Sequence, residues 1–282
     1  MASAHARSVQ GALRSGEQLG VLFDRMGNAD NPRGFILAAY RTARNAIRGR
    51  TDSARAVDDA LMTLRNAVEA YIANLLQSAT ALGVEQAEGA LRAYGVGRAR
   101  VNLNSQIQAA EAAWLAALDA QLSAARALAF TGGDEGEIIG DDLRAGILTP
   151  GPVLQSGSKW LASLMLLGWA ETVGRSADKD EFHKQAIAAI DHRTTDCCLR
   201  VHGQTQPMGK PFHLTGEPRY ADYIDDPPFH WYCRTAEALV PKEFADDALT
   251  RDMRGAASAE IGARRESGRR VTVHPANAFS RR

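Results

Sequence analysis

The sequence has few cysteines: Cys197, Cys198 and Cys233 are the three in 282 residues. An odd, small number of cysteines makes a poor disulfide framework, so a reducing compartment is expected. Residues 1–19 lack the basic-then-apolar pattern of a secretory leader, and none is expected. The longest apolar run, residues 161–170, is too short to span a bilayer, which excludes a membrane helix there.

The sequence also has no excess charge. It contains 33 Lys and Arg against 33 Asp and Glu, so bulk electrostatics provide no overall attraction to nucleic acid or to a membrane. Its glycines fall in no phosphate-binding loop pattern. The His-x-Glu and Pro-Cys-x-x-Cys patterns of zinc deaminases are missing as well. What remains is a globular chain, long enough for one large or two ordinary domains.

Residues 1–175 are rich in alanine and leucine, and their apolar positions recur at helical spacing, which predicts a helical region. One stripe predicts a helix that starts near Thr51 or Asp52 and ends near Gly83, which we interpret as a left-handed C-cap. A second stripe predicts a helix over 104–130. The stripes consist of Val57, Leu61, Leu64, Val68, Ile72 and Leu75, and of Trp114, Leu118 and Leu122. Shorter helices are predicted near 5–26, 33–48, 84–94 and 156–174. A bundle with an ordinary core and a helix that docks on a partner protein both fit this pattern.

The composition changes after Gly174. A polar linker is followed by a predicted strand over 184–191, and the chain up to Pro241 is then rich in Gly, Pro, His, Cys and aromatic residues. We predict an α+β fold with three parts: a helical region over 1–175, a small turn-rich Cys/His module over 180–241, and a polar, basic tail over 242–282. Such a small module has little core of its own, so a metal or packing on the helical part is needed to hold it.

The end of the chain carries clustered arginines, and four of them are candidate nucleic-acid contacts: Arg264, Arg265, Arg269 and Arg270. A neutral protein with positive charge at one end can use that end as a flexible arm for DNA or another anionic surface. A solvated tail without a partner is the alternative.

Two pairs of metal-ligating residues stand out in the module. Cys198 and His202 are four residues apart, so they share one face of a helical turn, and His230 and Cys233 are three apart. Two thiolates and two imidazoles at these spacings suit tetrahedral zinc. A metal would also explain how a turn-rich segment stays folded. The alternative is a set of buried residues that hydrogen-bond to each other.

Other roles are open for the same residues. Asp191 can form an ion pair with Arg193 that fixes the turn, or it can act as an acid or base. Cys198 or Cys233 could be a nucleophile with His230 as its base, although nothing nearby looks like an oxyanion loop or an orienting acid.

In order, the segment reads Asp-x-Arg-Thr, a cysteine four residues on, a glycine five beyond it, and then Pro-Pro-x-His-x-x-Cys-Arg. This order resembles the phage Mu protein F-like family of head morphogenesis proteins, which are minor head proteins. The matching residues are Asp191, Arg193, Thr194, Cys198, Gly203, Pro227, Pro228, His230, Cys233 and Arg234. The family commonly has an acidic or amide residue where this chain has His202. If His202 lies outside the site, Asp191 is the candidate substitute ligand.

The resemblance implies a non-catalytic virion protein that associates with the portal protein and with capsid or scaffold proteins. It also implies that the helical region over 1–175 docks on portal or capsid protein. It implies a role in procapsid assembly, DNA packaging or genome delivery, in the phage head and, during assembly, in the host cytoplasm. Zinc is the candidate cofactor, DNA is a candidate partner of the tail, and no membrane partner is expected. Two other function classes stay open: a metal-dependent nuclease or hydrolase, and a toxin-like effector that uses the Cys/His cluster.

Overall fold

The computed structural model describes residues 2–27, 33–48, 54–131, 148–214 and 223–268. These residues form an α+β protein in which a long helical region precedes short antiparallel strands, which confirms the predicted fold class. Within the described residues the helical region comprises helices α1 to α5, which are Ala2–Met26, Phe35–Arg48, Ala54–Ala93, Asn104–Thr131 and Gly151–Ser176. Among the helices that the structure describes, none has the length and apolar character needed to cross a membrane.

Short elements follow the helical region. They are β1 (Phe182–Ile187), α6 (Asp196–Val201), β2 (Thr205–Pro207), β3 (Phe212–His213), β4 (Tyr223–Ile224), β5 (Ala236–Pro241) and α7 (Ala248–Glu266). Strand β1 is central, because it pairs antiparallel with β2 on one side and with β5 on the other. Strands β3 and β4 form a separate antiparallel pair. The predicted strand over 184–191 therefore ends earlier, at Ile187, and the residues after it turn towards α6.

The chain divides into two compact units. The first unit comprises Met1–Gly20, Ser78–Leu103 and Leu161–Arg282, and the second comprises Val21–Gln77 and Asn104–Trp160. In the second unit both predicted stripes are buried, as their helical spacing requires. Trp114 is fully buried there and its indole N–H donates to the Val153 carbonyl at 2.9 Å. The domain ranges inferred from composition stay a prediction.

Gly83 is a close-contact residue and not the predicted helix end. Helix α3 runs without a break through Gly83 to Ala93, so the two helices predicted on either side of this glycine are one. A Cβ at Gly83 would lie 1.8 Å from the Met165 carbonyl oxygen of α5. Glycine is required at this position because it lets two helix backbones approach each other, and a sequence alone does not distinguish that role from a C-cap.

Helix α7 occupies the start of the region predicted as a polar tail. The Asp247 carboxylate caps it by accepting from the Thr250 N–H at 2.8 Å, as a helix N-cap should. The same carboxylate accepts from His5 Nδ1 at 2.8 Å, and His5 Nε2 is in hydrogen-bond contact with the Gln185 side chain at 3.0 Å. Helices α1 and α7 are thus tied to β1 through buried polar groups. The sequence of α7 is polar on average and its buried face is narrow, so its residues give only a weak signal for a packed helix.

Candidate metal centre

Three side chains converge at the start of α6. Cys197 and Cys198 lie in its first turn, and the residue that brings the third donor, His230, comes from the loop before β5. Their ligand atoms all lie within 4.8 Å of one another, and the three side chains are buried. This group could hold a metal ion.

Cys233 lies beside the same group. The turn from His230 to Cys233 is closed by the Cys233 N–H, which donates to the His230 carbonyl at 3.2 Å, and Tyr232 adopts a left-handed φ of 60°. Cys233 Sγ is 3.9 Å from Cys198 Sγ. Two sulfur atoms bound to one tetrahedral zinc at about 2.3 Å would be about 3.8 Å apart, so this spacing suits a shared metal. We call Cys197, Cys198, His230 and Cys233 the Cys/His centre.

The imidazole of His230 is oriented as in known metal sites. Its Nδ1–H donates to the Trp231 carbonyl at 2.7 Å, so Nε2 is the nitrogen that faces the cysteines. Nε2 is 3.1 Å from Cys198 Sγ and 2.9 Å from Thr195 Oγ1. A metal-ligating histidine commonly uses its second N–H in this way, because the hydrogen bond fixes the tautomer and the ring orientation.

The electrostatics of the Cys/His centre favour charge on two of its three sulfur atoms, those of Cys197 and Cys233, whereas burial raises the pKa of Cys198 well above its ordinary value. Burial raises the pKa of Cys233, but hydrogen bonding from Cys198 and the positive charge of His230 outweigh burial, so this pKa lies well below its ordinary value. Hydrogen bonding from Cys198 likewise lowers the pKa of Cys197. Burial lowers the pKa of His230, yet the neighbouring thiolates raise it well above its ordinary value. A cluster that holds thiolates away from water needs a cation, which can be a proton on His230 or a metal ion.

A polar frame fixes the segment that leads into α6. Asp191 accepts from Arg234 at 2.7 and 2.8 Å and from the Arg193 N–H at 3.0 Å. The Thr194 hydroxyl donates to Asp191 at 2.9 Å. Burial raises the pKa of Asp191, but the Arg234 guanidinium and Thr194 outweigh it and hold this pKa below its usual range.

Arg264 of α7 also holds the segment that leads into α6. Its guanidinium donates to the carbonyl oxygens of Thr194 at 2.6 Å and Asp191 at 2.8 Å, and the residue is 3% exposed. The prediction that Arg264 contacts nucleic acid is therefore corrected, because its donors are used inside the protein. Arg265 is exposed on the same helix, whereas Arg269 and Arg270 lie outside the described residues.

The structure corrects the predicted ligand set in two places. His202 is not in the cluster: its Nδ1 accepts from the Ala188 N–H at 3.0 Å, and burial lowers its pKa to about 4. Asp191 lies outside the cluster and its carboxylate pairs with Arg234, so it is not the substitute ligand. Its predicted ion pair with Arg193 stays a prediction. The candidate donor that the spacing argument missed is Cys197. Its position next to Cys198 at a helix start was the available signal.

The remaining motif residues have backbone roles. Gly203 has a φ of +77°, and its N–H donates to the Ala186 carbonyl at 2.8 Å, which turns the chain from α6 into β2. A side chain there would be strained, because L residues rarely adopt this φ. The Pro227–Pro228 peptide is cis and directly precedes Phe229, which is fully buried beside the cysteines.

Comparisons with known proteins add no family assignment. No family model matches the chain, and neither the curated proteins nor the solved structures contain a match to it. The resemblance to the phage Mu protein F-like family thus depends on the residues from Asp191 to Arg234 alone.

Proposed function

We propose that this chain is a non-catalytic minor head protein of a tailed bacteriophage. It acts in head assembly, DNA packaging or genome delivery, and its partners are the portal protein and capsid or scaffold proteins. The proposal rests on the contacts that the motif residues make with one another. Asp191 pairs with Arg234, Thr194 bonds to Asp191, and Cys198 contacts His230 and Cys233 in a buried cluster. Residues that resemble a family in order, and that also depend on each other in space, make a coincidental match a poor explanation.

The Cys/His centre in this proposal binds one zinc ion through Cys197, Cys198, His230 and Cys233. Three thiolates and one imidazole are a common donor set for structural zinc. All four residues are at least nine-tenths buried, which leaves little access for a substrate. Zinc would hold together a segment of short strands and turns that has a small core of its own.

Burial also argues against the enzyme alternatives. A catalytic zinc keeps a position open for water or substrate, whereas four protein donors fill a tetrahedral site. A cysteine nucleophile needs access to its substrate, and Cys198 and Cys233 are 3% and 0% exposed. The module is better suited to hold its shape than to carry out chemistry.

Elemental analysis of the purified chain tests the zinc site. We expect about one zinc per chain in the wild type, and its loss in Cys197→Ser, Cys198→Ser and Cys233→Ser. The variant His202→Asn is the matched control, because His202 bonds to the Ala188 N–H and should keep the metal. A wild type without stoichiometric metal, or loss of zinc in His202→Asn alone, would refute this ligand set.

The head role needs a separate experiment. Tailed particles purified from cells that carry the gene should contain the chain in few copies, and it should co-purify with the portal protein. Deletion of the gene should give particles that lack packaged or deliverable DNA. If the chain is absent from purified heads while its zinc site is intact, the head role fails and the metal site stands.

A further inference from the structure

A small cavity in the first unit lies apart from the Cys/His centre, and none of the four centre residues lines it. Its volume is about 170 Å³. Its walls combine apolar side chains with charged ones, of which Lys184 and Glu237 are buried and Asp226 is exposed. The apolar walls include Trp169, Val173 and Met208.

The charged groups at this cavity are arranged around Lys184. The residue is 2% exposed, and its ammonium forms an ion pair with Asp226 and lies 4.8 Å from the centre of the Phe212 ring. Glu237 Oε1 is 3.9 Å from the same ammonium, which is too far for a hydrogen bond. Lys184 therefore pairs closely with Asp226, and its interaction with Glu237 is a longer ion pair that gives Glu237 Oε1 no hydrogen bond.

Two lining residues carry buried polar atoms that have no hydrogen-bond partner among the residues that the structure describes. These atoms are Trp169 Nε1 and Glu237 Oε1, on residues that are 3% and 2% exposed. A buried polar atom without a partner costs about 1–3 kcal/mol, so two beside one cavity are not expected without a compensating molecule. The indole N–H can only donate, and a carboxylate oxygen accepts.

The protonation of Glu237 fits the same picture. Burial raises the pKa of this carboxyl to about 7, and Lys184 offsets the rise in part. With a pKa of about 7, Glu237 is about half protonated near neutral pH, and the described residues offer its Oε1 no hydrogen bond. A neutral polar molecule would add no further charge beside Lys184 and Glu237.

We propose that this cavity binds a small neutral organic molecule that carries a hydrogen-bond donor next to an acceptor, as an amide does. The acceptor receives the Trp169 indole N–H and the donor meets Glu237 Oε1, while Val173 and Met208 contact the apolar part. The size limit follows from the volume, since a cavity of about 150 Å³ holds benzene. The site does not depend on the proposed head function or on zinc.

A titration of the full-length protein with 2-pyrrolidinone tests the proposal. This lactam is close to benzene in size and presents N–H and C=O side by side. The readout is the indole N–H signal of Trp169 in ¹H–¹⁵N NMR spectra, assigned by its loss in Trp169→Phe. We expect a saturable shift of this signal and none for Trp114, whose indole N–H is bonded to Val153.

Two comparisons distinguish specific recognition of the probe from nonspecific filling of the cavity. Cyclopentanone lacks the N–H and should bind about tenfold more weakly or worse, because Glu237 would stay without a partner. In Glu237→Met the two probes should bind equally, and the exposed control Glu243→Met should behave as the wild type. No saturable shift of the Trp169 signal, or equal binding of both probes to the wild type, would overturn the proposal. The wild-type comparison decides the matter even if Glu237→Met does not fold.

Discussion

Replacement of Arg264 by alanine should destabilise the first unit, because this arginine holds the segment that leads into α6. Its guanidinium donates to the carbonyl oxygens of Thr194 and Asp191, and it contacts the Asp196 carboxylate at 3.3 Å. Its Nε donates to Glu260 one turn earlier at 2.7 Å. The side chain is 4% exposed, so solvent cannot replace these contacts without local opening.

The expected loss in the free energy of unfolding is about 3 kcal/mol. A hydrogen bond from a charged donor contributes about 1.5–3 kcal/mol, and two such bonds reach buried carbonyls. Part of this is offset, since the Asp191 carbonyl also accepts from the Thr194 N–H at 3.1 Å. Removal of the guanidinium also relieves the cost of burying a charge. The net figure lies near the lower end of the values for breaking a buried pair.

Urea unfolding followed by circular dichroism measures this loss. With a slope of about 3 kcal/mol per molar, the midpoint should fall by about 1 M in Arg264→Ala. The matched control is Arg265→Ala, which changes the exposed neighbour and should stay within about 0.5 kcal/mol of the wild type. Equal, small shifts of the urea midpoint in both variants would refute the inference that α7 supports the Cys/His centre. Arg264 would then again be a candidate nucleic-acid contact, like the other arginines near the end of the chain.

Three further predictions concern the helix contact, the buried acid and the tail. Gly83→Ala should cost about 3 kcal/mol in thermal or urea unfolding, because its Cβ would meet the Met165 carbonyl, whereas Gly89→Ala in the same helix should be neutral or stabilising. The raised pKa of Glu237 implies that its folded form holds a proton that the unfolded form releases near 4.5. Wild-type stability should therefore fall between pH 4.5 and about 7 relative to Glu237→Gln, by about 3 kcal/mol at most, and parallel pH profiles would contradict this. Truncation after Gly268 removes Arg269 and Arg270 but keeps the Arg264 network, so DNA affinity should drop and become less salt-dependent while the urea midpoint stays the same. A truncation at Gly262 would also remove Arg264, so a loss of DNA affinity could not be separated from a loss of stability. Unchanged DNA binding across a salt series would exclude the tail as a DNA contact.

Helical spacing was sufficient to predict the α+β class and much of the helical region. Stripes such as Val57 to Leu75 are buried as predicted, because a period of 3.6 residues leaves few alternatives for an apolar face. The same argument could not interpret Gly83, whose sequence signal is the same for a helix end and for a close helix contact. Helix α7 was missed because its buried face is narrow and partly polar.

The candidate site, too, was predicted only in part from the sequence. The residue types and their order drew attention to Cys198, His230 and Cys233, because few other side chains bind zinc and their spacing permits convergence. Spacing could not choose between His202 and Cys197, since both lie within one turn of Cys198. The choice depends on where β1 passes, because the Ala188 N–H occupies His202 Nδ1.

The absence of a disulfide framework, the neutral charge and the ordered motif from Asp191 to Arg234 were determined by the sequence itself. Which groups are buried together was decided by tertiary structure alone. Arg264 reads as one of several tail arginines until α7 packs beside α6, and Glu237 reads as a surface acid until β5 places it beside Lys184. The physical reason is that hydrogen bonding and desolvation depend on neighbours distant in the chain, which local spacing does not encode.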